Sequence, residues 1–160
     1  VFPDGARLLT GIGIFDPEAV LIWEANSGEA GGQVLAKLVH PDDSVRRLEL
    51  SGCGTRIMTV GGASVCIWDA EQGHLLHEMR TAKRLGYSVA VSMGARRVVA
   101  TTIDGKALYM WDLWEDEGGA IQKREWALTG MAHSVRFLGG GRRLAVITGG
   151  EVEVWDLDAA

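Results

Sequence analysis

The sequence predicts an all-β chain built from about four copies of one unit, a four-stranded antiparallel sheet. Three observations carry this expectation. Four short apolar runs end in Trp followed by an acid: VLIWEA (20–25), VCIWDA (65–70), LYMWDL (108–113) and VEVWDL (152–157). Their tryptophans, Trp23, Trp68, Trp111 and Trp155, are spaced by 45, 43 and 44 residues, which is the period of a repeated supersecondary unit. The apolar runs are short, rich in Val, Ile, Leu and Thr, and bounded by Gly, Asp or Pro, and no window of a dozen residues holds a clean helical period. Finally, the chain holds 22 Gly against 3 Pro in 160 residues, about twice the usual glycine share of ~7%. Without a collagen period, that excess means many tight corners.

The elements follow in order along the chain. PDGA at 3–6 is a turn, and ARLLTG at 6–11 is a strand leading toward the first Trp run. DDSVRRLELS then opens the second copy, GCG at 52–54 turns it, and TRIMTVGG at 55–62 precedes the second Trp run. GYSVAVSMG and RRVVATT (96–102) repeat that order before Trp111, and AHSVRFLGG and RRLAVITGG (142–150) repeat it before Trp155. The run before each Trp carries an Arg, at Arg7, Arg56, Arg97 and Arg143, lying 16, 12, 14 and 12 residues ahead of it. GG at 61–62 and GGG at 139–141 fall at corners, where positive φ is cheap only for Gly. A sheet of this size cannot bury both faces alone, so neighbouring copies must stack.

These residues resemble the WD40 repeat family over essentially the whole chain. The Trp-Asp/Glu pairs, the period, and phrases such as FPDGARLLTG and IWDAEQGHLLHEM carry the resemblance. The Gly-His pair of the family is represented only by His40 and His133, neither directly after Gly. The resemblance implies β-propeller blades, each with an inner strand a, then b and c, and an outer strand d. It places c strands at 19–24, 64–69, 107–112 and 151–156, d strands near 33–39, 73–80 and 121–128, and a strands near 45–50, 87–92 and 134–138. The blades then cover approximately 1–39, 45–80, 87–128 and 134–160, the first lacking its inner strand and the last its outer one. Since the chain opens on Val1 and the two ends do not complement each other, a fragment of a longer protein is expected, ahead of pairing with a second copy or closure as four blades.

In the family a Trp, a Ser or Thr, a His and an Asp form a hydrogen-bond network within a blade. Carried over, the signature residues are Trp23, Trp68, Asp69, Trp111, Asp112, Trp155, Asp156, His40, His133, Asp16 and Asp104. No blade has the full set. The second keeps His40, Thr59 and Trp68 but has Gly62 where an Asp is expected. The third keeps Asp104, Thr101 and Trp111 without a His. The fourth has His133 and Trp155, and the first has Asp16 and Trp23. Packing is expected to hold these blades more than the polar network does.

The sequence argues for binding and against chemistry. With 16 Lys plus Arg against 21 Asp plus Glu, the net charge of −5 disfavours a nucleic-acid or anionic-membrane surface. No stretch approaches the ~20 apolar residues of a membrane helix, and VFPDGARLL is not laid out as a secretory signal. Two cysteines, Cys53 and Cys66, suggest reduced thiols in an intracellular protein, cytoplasmic or nuclear, with Cys66 a plain buried thiol. Cys53, Cys66, His74 and His77 are not at ligand spacing for zinc, so surface histidines on an outer strand are expected. WEDEGG at 114–119 matches no cation-loop motif, and GGG at 139–141 lacks the Lys-Ser/Thr of a phosphate loop. No catalytic residue, metal or cofactor is assigned.

Two features suit protein binding. Trp114 and Trp126 lie outside the repeat signature, as interface anchors or as packing for their own blade. TAKRLGY at 81–87 is, by resemblance, a d–a loop on the face where WD40 proteins receive peptides; Lys83, Arg84 and Tyr87 there suit an acidic partner. Phe15, Asp16, Asp42, Asp43 and Lys106 are expected on the same face, and Phe15, Lys106 and Trp114 complete the candidate contact set. The expected function is a non-catalytic scaffold or recognition module for protein partners, with possible self-association or completion of the ring by other blades. The alternative is a regulatory or sensor propeller region of a multidomain NTPase or protease.

Overall fold

The computed structural model describes residues 1–11, 20–25, 32–42, 45–113 and 121–158, with Tyr87 described by its backbone alone. The predicted Asp16 and Asp43, Phe15, Trp114 and the acidic 114–119 loop lie outside the described residues. Fourteen strands are formed among the described residues. They fall into two compact units, Val1–Ala82 and Lys83–Ala160.

The first unit holds a three-stranded sheet, β1 (Arg7–Gly11), β2 (Val20–Glu24) and β3 (Gln33–Leu38), in that order. Its second sheet runs β4 (Val45–Leu50), β5 (Arg56–Gly61), β6 (Ser64–Asp69) and β7 (Leu75–Arg80). The second unit holds β8 (Leu85–Val91), β9 (Arg97–Thr102), β10 (Ala107–Leu113) and β11 (Ile121–Ala127), followed by a three-stranded sheet of β12 (Ala132–Leu138), β13 (Arg143–Thr148) and β14 (Glu151–Asp156). Neighbouring strands within each sheet are antiparallel and consecutive in sequence. GGG at 139–141 forms a single 3-10 turn joining β12 to β13.

Burial explains why the second and third Trp runs read as unbroken apolar stretches. β6 and β10 are buried along nearly their whole length, so both faces of each are covered and period-2 alternation is lost. The outer strand β7 is mostly exposed, and LLHEMR accordingly mixes charge with apolar residues. In the first unit Val20, Ile22 and Leu38 of the first sheet pack with Ile57, Cys66 and Trp68 of the second. In the second unit Val99, Leu108 and Met110 pack with Val135, Leu144 and Val146. Each such fully buried aliphatic side chain contributes about 1.5–3 kcal/mol.

Register also accounts for the Arg ahead of each Trp. Arg7 stands opposite Glu24, Arg56 opposite Asp69, Arg97 opposite Asp112 and Arg143 opposite Asp156. The acid after Trp is therefore the cross-strand partner of the Arg that opens strand b. The pair is closed in two sheets, Arg56 to Asp69 at 3.1 Å and Arg97 to Asp112 at 2.8 Å. In the first sheet Arg7 turns to Asp4 instead, at 2.7 Å.

Candidate functional site

The Trp network departs from the expected one in several ways. In the second sheet Trp68 Nε1 donates to Thr59 Oγ1 at 2.9 Å, fully buried. The carboxylate missing at Gly62 is supplied from the preceding loop by Asp42. Its Oδ2 accepts from Ser64 Oγ at 2.6 Å and from Ala63 N at 3.2 Å, and its own amide donates to His40 Nδ1 at 3.1 Å. A Cβ built on Gly62 falls 2.8 Å from Asp42 Oδ2, so the carboxylate occupies the space a side chain there would need. Burial holds the His40 imidazole below its ordinary pKa, against the opposing pull of Asp42. Burial raises the pKa of Asp42, but the Ser64 hydroxyl, His40 and the Ala63 amide outweigh it and the net direction is down.

This Ser, His and Asp set is not a catalytic triad. Ser64 gives its proton to Asp42, and His40 is 2% exposed with its Nδ1 taken by the Asp42 amide. A nucleophile needs its hydroxyl on an accessible imidazole. The constellation fixes the blade.

Two assignments are corrected. Thr101 does not partner Trp111: its hydroxyl donates to the Ser88 carbonyl at 3.2 Å. Trp68 and Trp23 bond the residue three positions after the strand-b Arg, Thr59 and Thr10. That position in the third sheet is Ala100, and a one-residue offset puts Thr101 on the opposite face. Second, His133 is exposed beside the register shift between Ala132 and Ser134, and Trp155 Nε1 bonds Glu153 at 2.8 Å rather than a hydroxyl. Of the two roles open to Trp126, the structure shows packing, edge-on against Trp155 with ring centroids 5.9 Å apart. Aligning the copies on Arg7, Arg56, Arg97 and Arg143 would have found Thr10 and rejected Thr101.

Of the expected loop at 81–87, residues 85–87 belong to β8, and Lys83 and Arg84 lie beside the turn that carries Lys106. Backbone bonds join three segments at one end of the third sheet: Ile103 N to Arg84 O at 3.0 Å, Ala132 N to Gly105 O at 2.9 Å, and Leu128 N to Lys106 O at 2.8 Å. Thr102 Oγ1 and the Lys106 amide both donate to Asp104 Oδ1, which fixes the turn between β9 and β10. The Thr102 hydroxyl, chiefly, draws the Asp104 carboxyl below the ordinary range, with Lys83 and Lys106 adding to it. Gly105 has φ of 67°, and Met131 Cγ lies 2.5 Å from where its Cβ would be. Only glycine lets Met131 lie across that turn.

The surface that results carries Lys83, Arg84 and Lys106 around two exposed apolar side chains, Ile103 at 52% and Met131 at 53%. Ile103 and Met131 escaped the sequence reading because isolated apolar loop residues carry no periodic signal. Among the described residues, no three or more His, Cys, Asp or Glu side chains converge as metal ligands, and no helix is long and apolar enough to cross a membrane. His74 is exposed and His77 half-buried, beside or within β7.

The repeated antiparallel sheets, with Trp at one register position in each, match a known architecture. The β-propeller domain of Myceliophteria thermophila Cps50 (Swd1) superposes on 98% of this chain with a TM-score of 0.75. The fold is that of β-propeller blades. Sequence identity to that domain is 18%, so the likeness is one of fold, and the chain spans 49% of its length. No protein-family model and no curated protein matches the chain.

Proposed function

We propose that this chain is a non-catalytic recognition module that binds a protein partner on the loop surface around Ile103 and Met131. The observation that carries the reading is that surface itself: Lys83, Arg84 and Lys106 against the single carboxylate of Asp104, beside two exposed apolar side chains, on turns cross-linked by backbone hydrogen bonds. In a chain of net charge −5 this local excess of positive charge selects an acidic segment. The paired apolar side chains select a hydrophobic residue within it, and the pre-ordered turns lower the entropy cost of docking. The β-propeller fold supports the same reading by analogy alone, since folds host many functions. Cys53, exposed, and Cys66, buried, are both free thiols, which suits an intracellular setting.

The test is titration of labelled peptides carrying a central Leu flanked by Glu or Asp, followed by fluorescence polarisation. Saturable binding that weakens with salt, and is lost in Lys83→Glu/Arg84→Glu and in Ile103→Asp, is expected. Equal binding of a peptide with Lys in place of its acids, or binding unchanged by those substitutions, refutes the proposal.

A further inference from the structure

In all four sheets the residue just before the strand-b Arg does one structural job, and does it with its backbone. Its carbonyl accepts from the residue that follows the Trp-acid pair. The bonds are Ala25 N to Ala6 O at 2.6 Å, Ala70 N to Thr55 O at 3.1 Å, Leu113 N to Arg96 O at 2.7 Å and Leu157 N to Arg142 O at 2.9 Å. Ala6 and Thr55 make this bond in the first unit, so the fold calls for no charged side chain at the position. The second unit nevertheless carries Arg there twice, and both side chains reach solvent, that of Arg142 at 82%.

Arg96 and Arg142 flank a cavity of about 180 Å³ between the third and fourth sheets, which pack on each other within the second unit. Ser92, Arg97, Gly141 and Asp158 complete the wall, at the end of β9 remote from Ile103. Gly141 has φ of 97°, and a Cβ on it would fall 2.9 Å from Ser92 Cβ, so glycine lets these two turns approach. Ser92 is 2% exposed, and its hydroxyl oxygen accepts the Arg97 amide at 2.9 Å, which leaves the hydroxyl proton to donate.

The acids in this cluster are already taken. Asp112 holds Arg97 and Arg124, while Asp158 holds Arg97 at 2.6 Å and has Arg142 Nε at 3.7 Å. With Arg96, four guanidinium groups stand against two carboxylates, an excess of two positive charges in a chain of net charge −5. A carboxylate would answer only half of that excess. A phosphate monoester brings a charge of about −1.5 to −2 at neutral pH and three acceptor oxygens, which guanidinium forks match. The volume lies below the ~300–1,000 Å³ of pockets for drug-sized ligands, so one small group fits.

We propose that this cavity binds the phosphate group of a phosphate monoester. Arg96 and Arg142 close on it from the two turns, Ser92 donates its hydroxyl, and Asp112 and Asp158 hold Arg97 in place between them. The site is separate from the surface around Ile103 and Met131 and does not depend on it.

Isothermal titration with inorganic phosphate, with a peptide carrying a central phosphoserine, and with the same peptide unphosphorylated tests this. Saturable binding of inorganic phosphate or of the phosphoserine peptide is expected, the tighter of the two naming the source as a free anion or a modified partner. The unphosphorylated peptide and acetate should not bind. Arg96→Thr combined with Arg142→Ala installs the side chain types that the first unit carries at this position. Circular dichroism and Tm should therefore hold while affinity falls at least about tenfold. Arg47→Ala, at an exposed arginine of β4, should leave the affinity as it is. No saturable binding of either phosphate compound overturns the proposal. So does equal binding of acetate, or phosphate affinity that survives the double substitution.

Discussion

Replacing Asp112 by Asn is expected to be among the most damaging conservative changes available in the second unit. Its side chain is 3% exposed and takes two guanidinium groups, Arg97 Nε on Oδ1 at 2.8 Å and Arg124 Nη2 on Oδ2 at 2.6 Å. Those arginines do further work across the junction. Arg97 reaches Gly141 O and Asp158 Oδ1, and Arg124 Nη1 donates to Leu157 O at 3.3 Å. Asn keeps the volume and removes the charge, leaving two guanidinium groups without their shared anion. A charged hydrogen bond contributes ~1.5–3 kcal/mol where buried and ~0–1 kcal/mol where exposed. Arg97, 16% exposed, belongs near the upper range but retains Asp158, while Arg124 at 36% belongs near the lower. The sum is about 3 kcal/mol, or a fall of roughly 6–12 °C in Tm for a chain of this size. Urea unfolding followed by Trp fluorescence measures it. Asp158→Asn, on a side chain 45% exposed, should cost under ~1 kcal/mol in the same assay. A cost below ~1 kcal/mol for Asp112→Asn would refute the argument that this carboxylate joins the two sheets.

Three further outcomes follow from the first unit. Gly62→Asp should destabilise by about 2 kcal/mol, because its Cβ meets the Asp42 carboxylate and a second carboxylate crowds the first; adding Asp42→Ala should recover part of that loss, which a double-mutant cycle reads directly. His40, ordinarily titrating at 6.5, is held neutral by burial, so the unfolded chain binds a proton that the folded one refuses. Stability should therefore fall as pH drops from about 7 to about 5, and His40→Gln should flatten that slope in urea midpoints taken at each pH. Cys66 is pushed up to about 12, mainly by burial, whereas Cys53 is exposed and drawn below its ordinary value, first by the Ser51 hydroxyl and then by Thr55. Thiol labelling of the native protein should modify Cys53 alone, with Cys66 reacting only after unfolding, as mass spectrometry would show.

Much of the fold was legible because its signals are local. A Trp followed by an acid, an Arg at a nearly fixed distance ahead of it, and Gly at corners recur often enough to set the period and the strands. The candidate surface was half legible. Lys83, Arg84 and Lys106 stand out as charges near turns, but Ile103 and Met131 are single apolar residues whose exposure depends on how the turns of β9–β10 and β11–β12 are joined. The network errors have one cause. Thr101 was chosen by type and proximity, and a strand sends adjacent residues to opposite faces, so the register that selects Ala100 over Thr101 decides the chemistry.

The sequence by itself determined that this chain is all-β and that its unit recurs with Trp23, Trp68, Trp111 and Trp155. Those properties follow from periodicity and turn chemistry, which act over a few residues. Only the tertiary structure decided that Asp42 replaces the carboxylate absent at Gly62, that Asp112 holds arginines from two strands, and that each Arg of strand b stands opposite the acid after Trp. Each of these depends on groups far apart in the chain meeting within about 3 Å, or failing to, and no local pattern encodes that distance.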